Sequence, residues 1–411
     1  MTEAPLRRLG TCLDGQRIPL NSSERSEMPG AIPYWGANGV VDYVRNHLFN
    51  EELVLLGEDG APFDVPFRDV AFLVDEPVWI NNHIHVLRPA EDVSAAYIVY
   101  ALNATDWIPH VTGSTRLKLT QDRMMRVSIP AWPLLAQRKI ADFLDRETQR
   151  IDALMDKKRR LIDLLEEKRT ATITQAVTKG LNPTVPMKDS GIPWMESIPK
   201  HWDAEELKRW WTVTDCLHRT ATYVDDGVLL VGTVQVKPGR LSLTGAKMTT
   251  EAEFAELAAG LRLPQRGDII YSRNASLGSA ACVDMDERFT MGQDVCLIRS
   301  ADQNQLYLSY VLASQIAAYQ VDAAVVGATF KRINVGQIKN FLVTRPPLAE
   351  QIAIARYLDE QTQLMDRATL PLATQLSLLA EYREALITAA VIGEVDVDTF
   401  NSDRRLETAT S

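Results

Sequence analysis

Two stretches of the chain place basic residues just after a glycine-x-threonine. Arg116 and Lys118 follow Gly113-Ser-Thr115, and Lys331 and Arg332 follow Gly327-Ala-Thr329. Two further loops carry related side chains. Ile32-Pro-Tyr-Trp-Gly-Ala-Asn-Gly39 frames Tyr34, Trp35 and Asn38 with turn residues, and Tyr271-Ser-Arg-Asn-Ala275 puts Arg273 and Asn274 just beyond an apolar run. Arginine, lysine and asparagine have the donor and acceptor geometry to read base edges in a major groove or to grip phosphate. Any one of them could equally be an ordinary surface residue; the recurrence after Gly-x-Thr lifts that pair. These nine positions are the candidate DNA contacts.

Catalytic chemistry is not written in recognisable form. No G-x-G-x-x-G follows a strand, and Gly239…Gly245-Ala-Lys247 has the wrong spacing for a phosphate loop. Asn182-Pro183 lacks the Pro-aromatic pair with which an amino-methyltransferase holds a flipped base. His83-Ile-His85 would put two imidazoles on one strand face, but no acidic or cysteine ligand stands at a supporting spacing, so they read as core or surface histidines. The expectation is a chain that is not an enzyme, with no metal and no cofactor of its own.

The elements that position these residues come in duplicate. PLLAQRKIADFLDRETQRID at 133–152 aligns without gaps on PLAEQIAIARYLDEQTQLMD at 347–366, and the same offset of 214 gives 19 identities over the 45 positions 133–177. The offset holds upstream for Gly113-Ser-Thr115, and Tyr97-x-x-Tyr100-x-Leu102 matches Tyr307-x-x-Tyr310-x-Leu312. The implied order is a globular domain at 1–132, a long helix at 133–180, a linker at 181–200, a second domain at 201–345, a second long helix at 346–393 and a polar, acidic tail at 394–411. Each domain reads as mixed α/β, with short apolar runs at 53–56, 70–74, 83–87, 268–271 and 295–298 and helices at 94–104 and 305–319 whose tyrosines pack.

The first long segment has prolines ahead of it, no glycine or proline inside and Gly180 behind it, the punctuation of one helix. At ~1.5 Å per residue it would extend roughly 70 Å and needs a partner along its length. Leu358, Met365, Leu372, Leu379 and Leu386 recur every seven residues in the second copy, the spacing of a coiled-coil seam. The first copy offers Leu144, Ile151, Lys158 and Leu165 at the same spacing, a weaker seam that leans on Phe143, Leu154, Leu161 and Ile173. The simplest arrangement is two long antiparallel helices forming a spacer, with a bend near Pro371. The basic run Lys157-Lys-Arg-Arg160 reads as a solvated helix face.

Composition bounds the rest. The 411 residues suffice for two or three folded units, and 46% hydrophobic with 24% charged residues is globular. Cys12, Cys216, Cys282 and Cys296 form no Cys-x-x-Cys pair, which fits a reducing cytoplasm, and no apolar stretch approaches a membrane span. The net charge of −10 argues against a simple electrostatic DNA binder. Any grip on DNA must be local and shared with a more basic partner.

The repeat Leu134…Gln137…Ile140-Ala141…Phe143-Leu144-Asp145…Thr148…Ile151-Asp152, recurring at 348–366, together with Asp189-Ser-Gly-Ile-Pro-Trp194…Ile198-Pro-Lys-His-Trp202, closely resembles the specificity subunits of type I restriction–modification systems. The Ile32-Pro-Tyr-Trp-Gly36 loop looks like that family's target-recognition domains. The resemblance implies a non-catalytic reader of double-stranded DNA with two target-recognition domains, each binding one half of a bipartite asymmetric site. It implies a helix pair that sets the unread spacer, at most roughly 20 base pairs for a rod of that length. It also implies docking of methyltransferase subunits, expected to number two and using S-adenosylmethionine, and of a restriction/translocase subunit. The first half begins at Pro5-Leu-Arg-Arg-Leu9 without its own Gly-Ile-Pro-Trp lead-in, which departs from the second. The other reading open to the sequence is a protein–protein adaptor that uses the long helices without touching DNA.

Overall fold

The computed structural model describes residues 2–325 and 332–400. The chain divides into two units: residues 1–160 with 371–411, and residues 161–370. No helix among the described residues is long and apolar enough to cross a membrane.

In unit 1 the apolar run Leu53–Gly57 is the fully buried inner strand of a four-stranded antiparallel sheet. Ile84–Pro89 and Ala71–Val74 flank it, and Gly10–Cys12 pairs with the far side of Ile84–Pro89. A strand with both faces covered has no need of polar alternation, which is why its sequence reads as a block. A separate three-stranded sheet has Pro29–Gly36 in the middle, antiparallel to Gly39–Val44 and parallel to Trp79–Ile80. Helix Ala95–Asn103 packs Ile98, Ala101 and Leu102 into a core with Val54, Leu56, Ala71 and Leu87 of the four-stranded sheet. Glu3–Pro5 pairs antiparallel with Ser128–Pro130, so the domain's two ends leave side by side.

Unit 2 repeats the frame. Thr212–Asp215, Val295–Arg299, Ile269–Ser272 and Ala280–Cys282 form the matching antiparallel sheet, and Asp203–Glu206 zips to Leu342–Arg345. A second four-stranded sheet carries Val228–Val231 between Lys247–Thr249 and Phe289–Met291. The helix expected over 305–319 is two, Gln305–Leu312 and Gln315–Val325. Ser314 ends the first by hydrogen bonding its hydroxyl to the Val311 carbonyl (2.6 Å), while the Gln315 N–H turns to Thr174 Oγ1 (3.1 Å).

The long helices are Leu134–Lys179 and Leu348–Val391, of 46 and 44 residues. Gly180 and Gly393 follow them with φ of +73° and +79°, the left-handed stop that glycine adopts without strain. Pro371 sits inside the second helix, which continues through it. Within unit 1 the helices run antiparallel: Lys158 Nζ donates to Gln375 Oε1 (2.7 Å), and six residues back Asp152 meets Arg383 Nε (3.0 Å), eight residues on. Leu144, Ile151 and Met155 share a core there with Leu379, Leu386 and Ile387. Within unit 2, Arg169 pairs with Asp366, and Ile173 and Val177 share a core with Ile354 and Leu358. Met365 is buried too, but Leu165 and Leu372 are only half-buried and Leu161, expected in the seam, is 46% exposed. Lys158 explains part of this: it turns a seam position into a polar contact with Gln375.

Each domain is braced to its long helix by the same bonds. Gln137 accepts from Ser94 N–H (2.9 Å) and donates to Trp132 O (2.7 Å); Gln351 accepts from Asn304 N–H (2.9 Å) and donates to Pro346 O (2.9 Å). Tyr100 donates to Asp145 (2.7 Å), and Tyr310 meets Thr362 Oγ1 (3.3 Å). Tyr97 and Tyr307 are buried, and burial pushes both phenols up, so they remain neutral hydrogen-bond donors, Tyr97 to Pro130 O (2.8 Å). The identities of the repeat are thus the residues that fasten sheet to helix.

Candidate nucleic-acid interface

In unit 1 the hairpin tip at 36–38, the segment 59–62 that follows Leu53–Gly57 and the turn at 114–117 line an open cleft of about 670 Å³. Gly113 makes that turn possible: its φ is +104°, and a Cβ there would lie 2.2 Å from the Arg116 carbonyl oxygen. The turn returns Arg116 across Gly60, so that Nε meets Asp59 Oδ1 at 2.7 Å and Nη2 meets the Asp59 carbonyl at 3.4 Å. Asn38 is exposed and donates to Gly60 O (3.3 Å), and Lys118 lies 3.5 Å from Glu58. The structure therefore brings Asn38, Arg116 and Lys118 together. His83 joins them, with Nδ1 3.4 Å from Asp59.

Two expected contacts in this unit face inward instead. Tyr34 is fully buried, with its hydroxyl accepting from Leu20 N–H (2.9 Å) and Arg25 stacked 5.0 Å from its ring centroid. Trp35 packs on Phe72 with ring centroids 5.4 Å apart. Both sit on Pro29–Gly36, an eight-residue strand rather than a loop, and pack into different clusters, Tyr34 with Val44 and Trp79 and Trp35 against the cluster of Leu55 and Ile84.

Beneath the cleft lies a charged cluster that no local motif announced. Asp14 Oδ2 is 2.6 Å from His85 Nδ1, Asp14 Oδ1 accepts from Val86 N–H (2.9 Å), and Arg17 joins Glu58 (2.8 Å) to Asp14 (3.4 Å). His85 is buried against Asp14 and His83 is partly exposed beside Asp59, so the two imidazoles serve different carboxylates. The sequence offered His85 no acidic neighbour, but the fold brings it Asp14 and Glu58 from distant segments, and Arg17 ties the two carboxylates into an ion-pair network. Burial pushes the Asp14 carboxyl up, but the His85 hydrogen bond and charge, the Val86 N–H and Arg17 outweigh it and leave the group below its ordinary value. A depressed folded value means the contribution to stability is complete above the unfolded value of about 3.9 and is lost as pH falls through the folded one. Asp14→Asn should cost about 2 kcal/mol at pH 7 and flatten the loss of stability below about pH 4. Calorimetry across that range checks both.

Unit 2 presents the same frame with other side chains. Arg332 reaches Asp294 Oδ1 at 2.7 Å and is half exposed, and Asn274 donates to Asp294 Oδ2 (3.3 Å). Asp294 and Ala275 both hold positive φ, 63° and 47°, at the rim. Arg273, expected as a reader, is 2% exposed: its guanidinium lies 3.1 Å from Asp215 and 3.8 Å from Cys216 Sγ, beneath the surface. Lys331 lies outside the described residues. Burial pushes the Cys216 thiol up and takes Cys12 up to about 12, so neither is a thiolate nucleophile at neutral pH.

Lys118 and Arg332 occupy matching positions. Each stands two residues before an N-cap, Thr120 and Asn334, and the residue between donates its N–H to the end of the matching strand, Leu119 to Glu58 O (2.8 Å) and Ile333 to Arg273 O (3.0 Å). Sequence reading missed Asp59 and Asp294, and read His83 only as a core or surface histidine rather than as a partner of Asp59. The only signal available for them was their place just past or just before an apolar run.

The family model for the type I restriction modification DNA specificity domain matches residues 9–164 and 237–368, more than half of the chain. A Haemophilus influenzae protein with the provisional name of type I restriction enzyme specificity subunit is 26% identical over 396 residues, which cover 93% of this chain and 94% of that one. A solved chain from a study of complex assembly and conformational transition of the type I R-M system superposes with a TM-score of 0.60 at 16% identity, over 96% of this chain and 98% of its own. The HsdS subunit from Thermoanaerobacter tengcongensis gives 0.45 at 15% identity, over 96% and 97%. With two family segments, a repeated α/β frame and two long helices, the chain belongs to the family of type I restriction–modification DNA specificity subunits.

Proposed function

We propose that the chain is the non-catalytic reader of a type I restriction–modification complex and that its two domains each bind one half of a bipartite, asymmetric double-stranded DNA site. The observation that carries this reading is the repeated placement of an exposed cation, Lys118 in one unit and Arg332 in the other, before the same capped helix on the same sheet. Asn38, Arg116 and Asn274 are the further readers. Tyr34, Trp35 and Arg273 act as supports, because the Tyr34 hydroxyl, the Trp35 ring and the Nη2 end of Arg273 are engaged by protein. Two helices of 46 and 44 residues supply a spacer between half-sites and a docking surface for methyltransferase and restriction/translocase subunits. With a net charge of −10, the chain leaves part of the phosphate grip to those subunits. Its place of action is the cytoplasm, where the target DNA lies.

Methyl transfer from labelled S-adenosylmethionine to genomic DNA, with and without a co-expressed methyltransferase subunit, tests this. The expected result is methylation at one bipartite motif only when both chains are present. Methylation that does not depend on this chain, or carries no motif, refutes the reading.

A further inference from the structure

The cleft of unit 1 holds an arginine in a particular way. Asp59 takes the Nε of Arg116 on Oδ1 (2.7 Å) and its Nη2 on the backbone carbonyl (3.4 Å), both along one edge of the guanidinium. Nη1 has no partner among the described residues, and the group is 59% exposed. The end of the fork formed by Nη1 and the outer hydrogen of Nη2 therefore faces the cleft. Asp59 is itself only 20% exposed and is held close to Gly60, whose φ of +77° lets the guanidinium lie across the backbone. A free surface arginine samples many rotamers; this one is braced.

What such a fork accepts depends on its surroundings. Asp59 and Asp64 also line the cleft beside Arg116 and His83, and Lys118 next to it is answered by Glu58 at 3.5 Å, so a phosphate entering it meets two carboxylates that offset the local cations. A neutral base edge pays no such repulsion. The neutral major-groove edge with two adjacent acceptors is guanine's, O6 and N7, which a guanidinium contacts in bidentate fashion. We infer that Arg116 reads a guanine in the half-site bound by unit 1, and that Asp59 is the positioning residue that aims it. This rests on the proposed DNA-reading role. Unit 2 does not reproduce the device among its described residues: Arg332 is held by a single carboxylate oxygen of Asp294. The guanine requirement accordingly belongs to one half-site.

The test uses the complete chain co-expressed with its methyltransferase subunit on a plasmid library with a randomised site, read by methylation sequencing. The half read by unit 1 is the one left fixed when residues 201–345 are exchanged. In the wild type one position of that half should favour guanine by about 10- to 100-fold. Arg116→Lys and Asp59→Asn should each bring that preference below about threefold, with the other positions and the second half-site unchanged. The unchanged second half-site shows that the variants fold and assemble. A first half without a strict guanine overturns the inference, as does Arg116→Lys lowering methylation uniformly with the motif intact, which is the behaviour of a phosphate contact. A preference untouched by Asp59→Asn overturns the positioning role. If the wild type methylates with no motif at all, the underlying DNA-reading role fails first.

Discussion

Trp202→Ala should remove about 4 kcal/mol from unit 2, the range measured when a large buried aromatic is truncated. Trp202 is fully buried, its ring lies against Gly180, where a Cβ would come within 3.2 Å, and its Nε1 donates to Glu350 Oε2 at 2.9 Å. The substitution opens a cavity in the core that joins the end of the first long helix to the sheet of the domain, and leaves Glu350 with His201 alone (2.7 Å). For a unit of this size the transition should fall by about 8 to 16 °C. A chain with two units need not unfold in one step. Hydrogen exchange should therefore speed up in peptides from 161–370 and leave the sheet of unit 1 protected; a uniform rise across both units would contradict the separate cores.

Exchange of residues 201–345 for the corresponding region of another family member should rewrite one half of the methylated sequence and spare the other. The structural ground is the zipper of Asp203–Glu206 with Leu342–Arg345, closed by Arg345 and Asp203 at 2.6 Å: the chain enters and leaves the domain at adjacent strands. A graft must keep equivalents of Asn304, Tyr307 and Thr344, which carry the bonds to Gln351 and to Val177 O. Each mismatched base pair costs about 1–3 kcal/mol, so two or more changed pairs amount to roughly 100-fold or greater discrimination. Methylome sequencing of cells carrying the chimera reads the result. A change in both halves would defeat the modular reading.

The repeat was legible because its identities fall where packing is tightest: Ile140, Leu144, Ile173 and Val177 match Ile354, Leu358, Ile387 and Val391, and all are buried. The inner strands were legible as apolar blocks, since a strand covered on both faces needs no alternation. The site was only partly so. Arg273 looks like a loop cation in sequence, and its burial depends on Asp215, 58 positions away. Tyr34 and Trp35 look like exposed loop aromatics, and only the pairing of Pro29–Gly36 with two other strands turns them inward. Leu161 fits a seam by spacing, yet faces solvent. Spacing assigns a residue to a face of its own element; partners brought from elsewhere decide what that face meets.

Unit 1 is assembled from residues 1–160 and 371–411, whereas unit 2 is one uninterrupted stretch. During synthesis the ribosome completes unit 2 before it has made Leu379, Leu386 and Ile387, which cover Leu144, Ile151 and Met155. At 5–20 residues per second the gap between Arg160 and Val391 lasts roughly 10 to 50 s. For that interval the nascent chain carries a naked apolar helix face, so its yield in the cell should depend on chaperone capacity more steeply than its length alone would suggest.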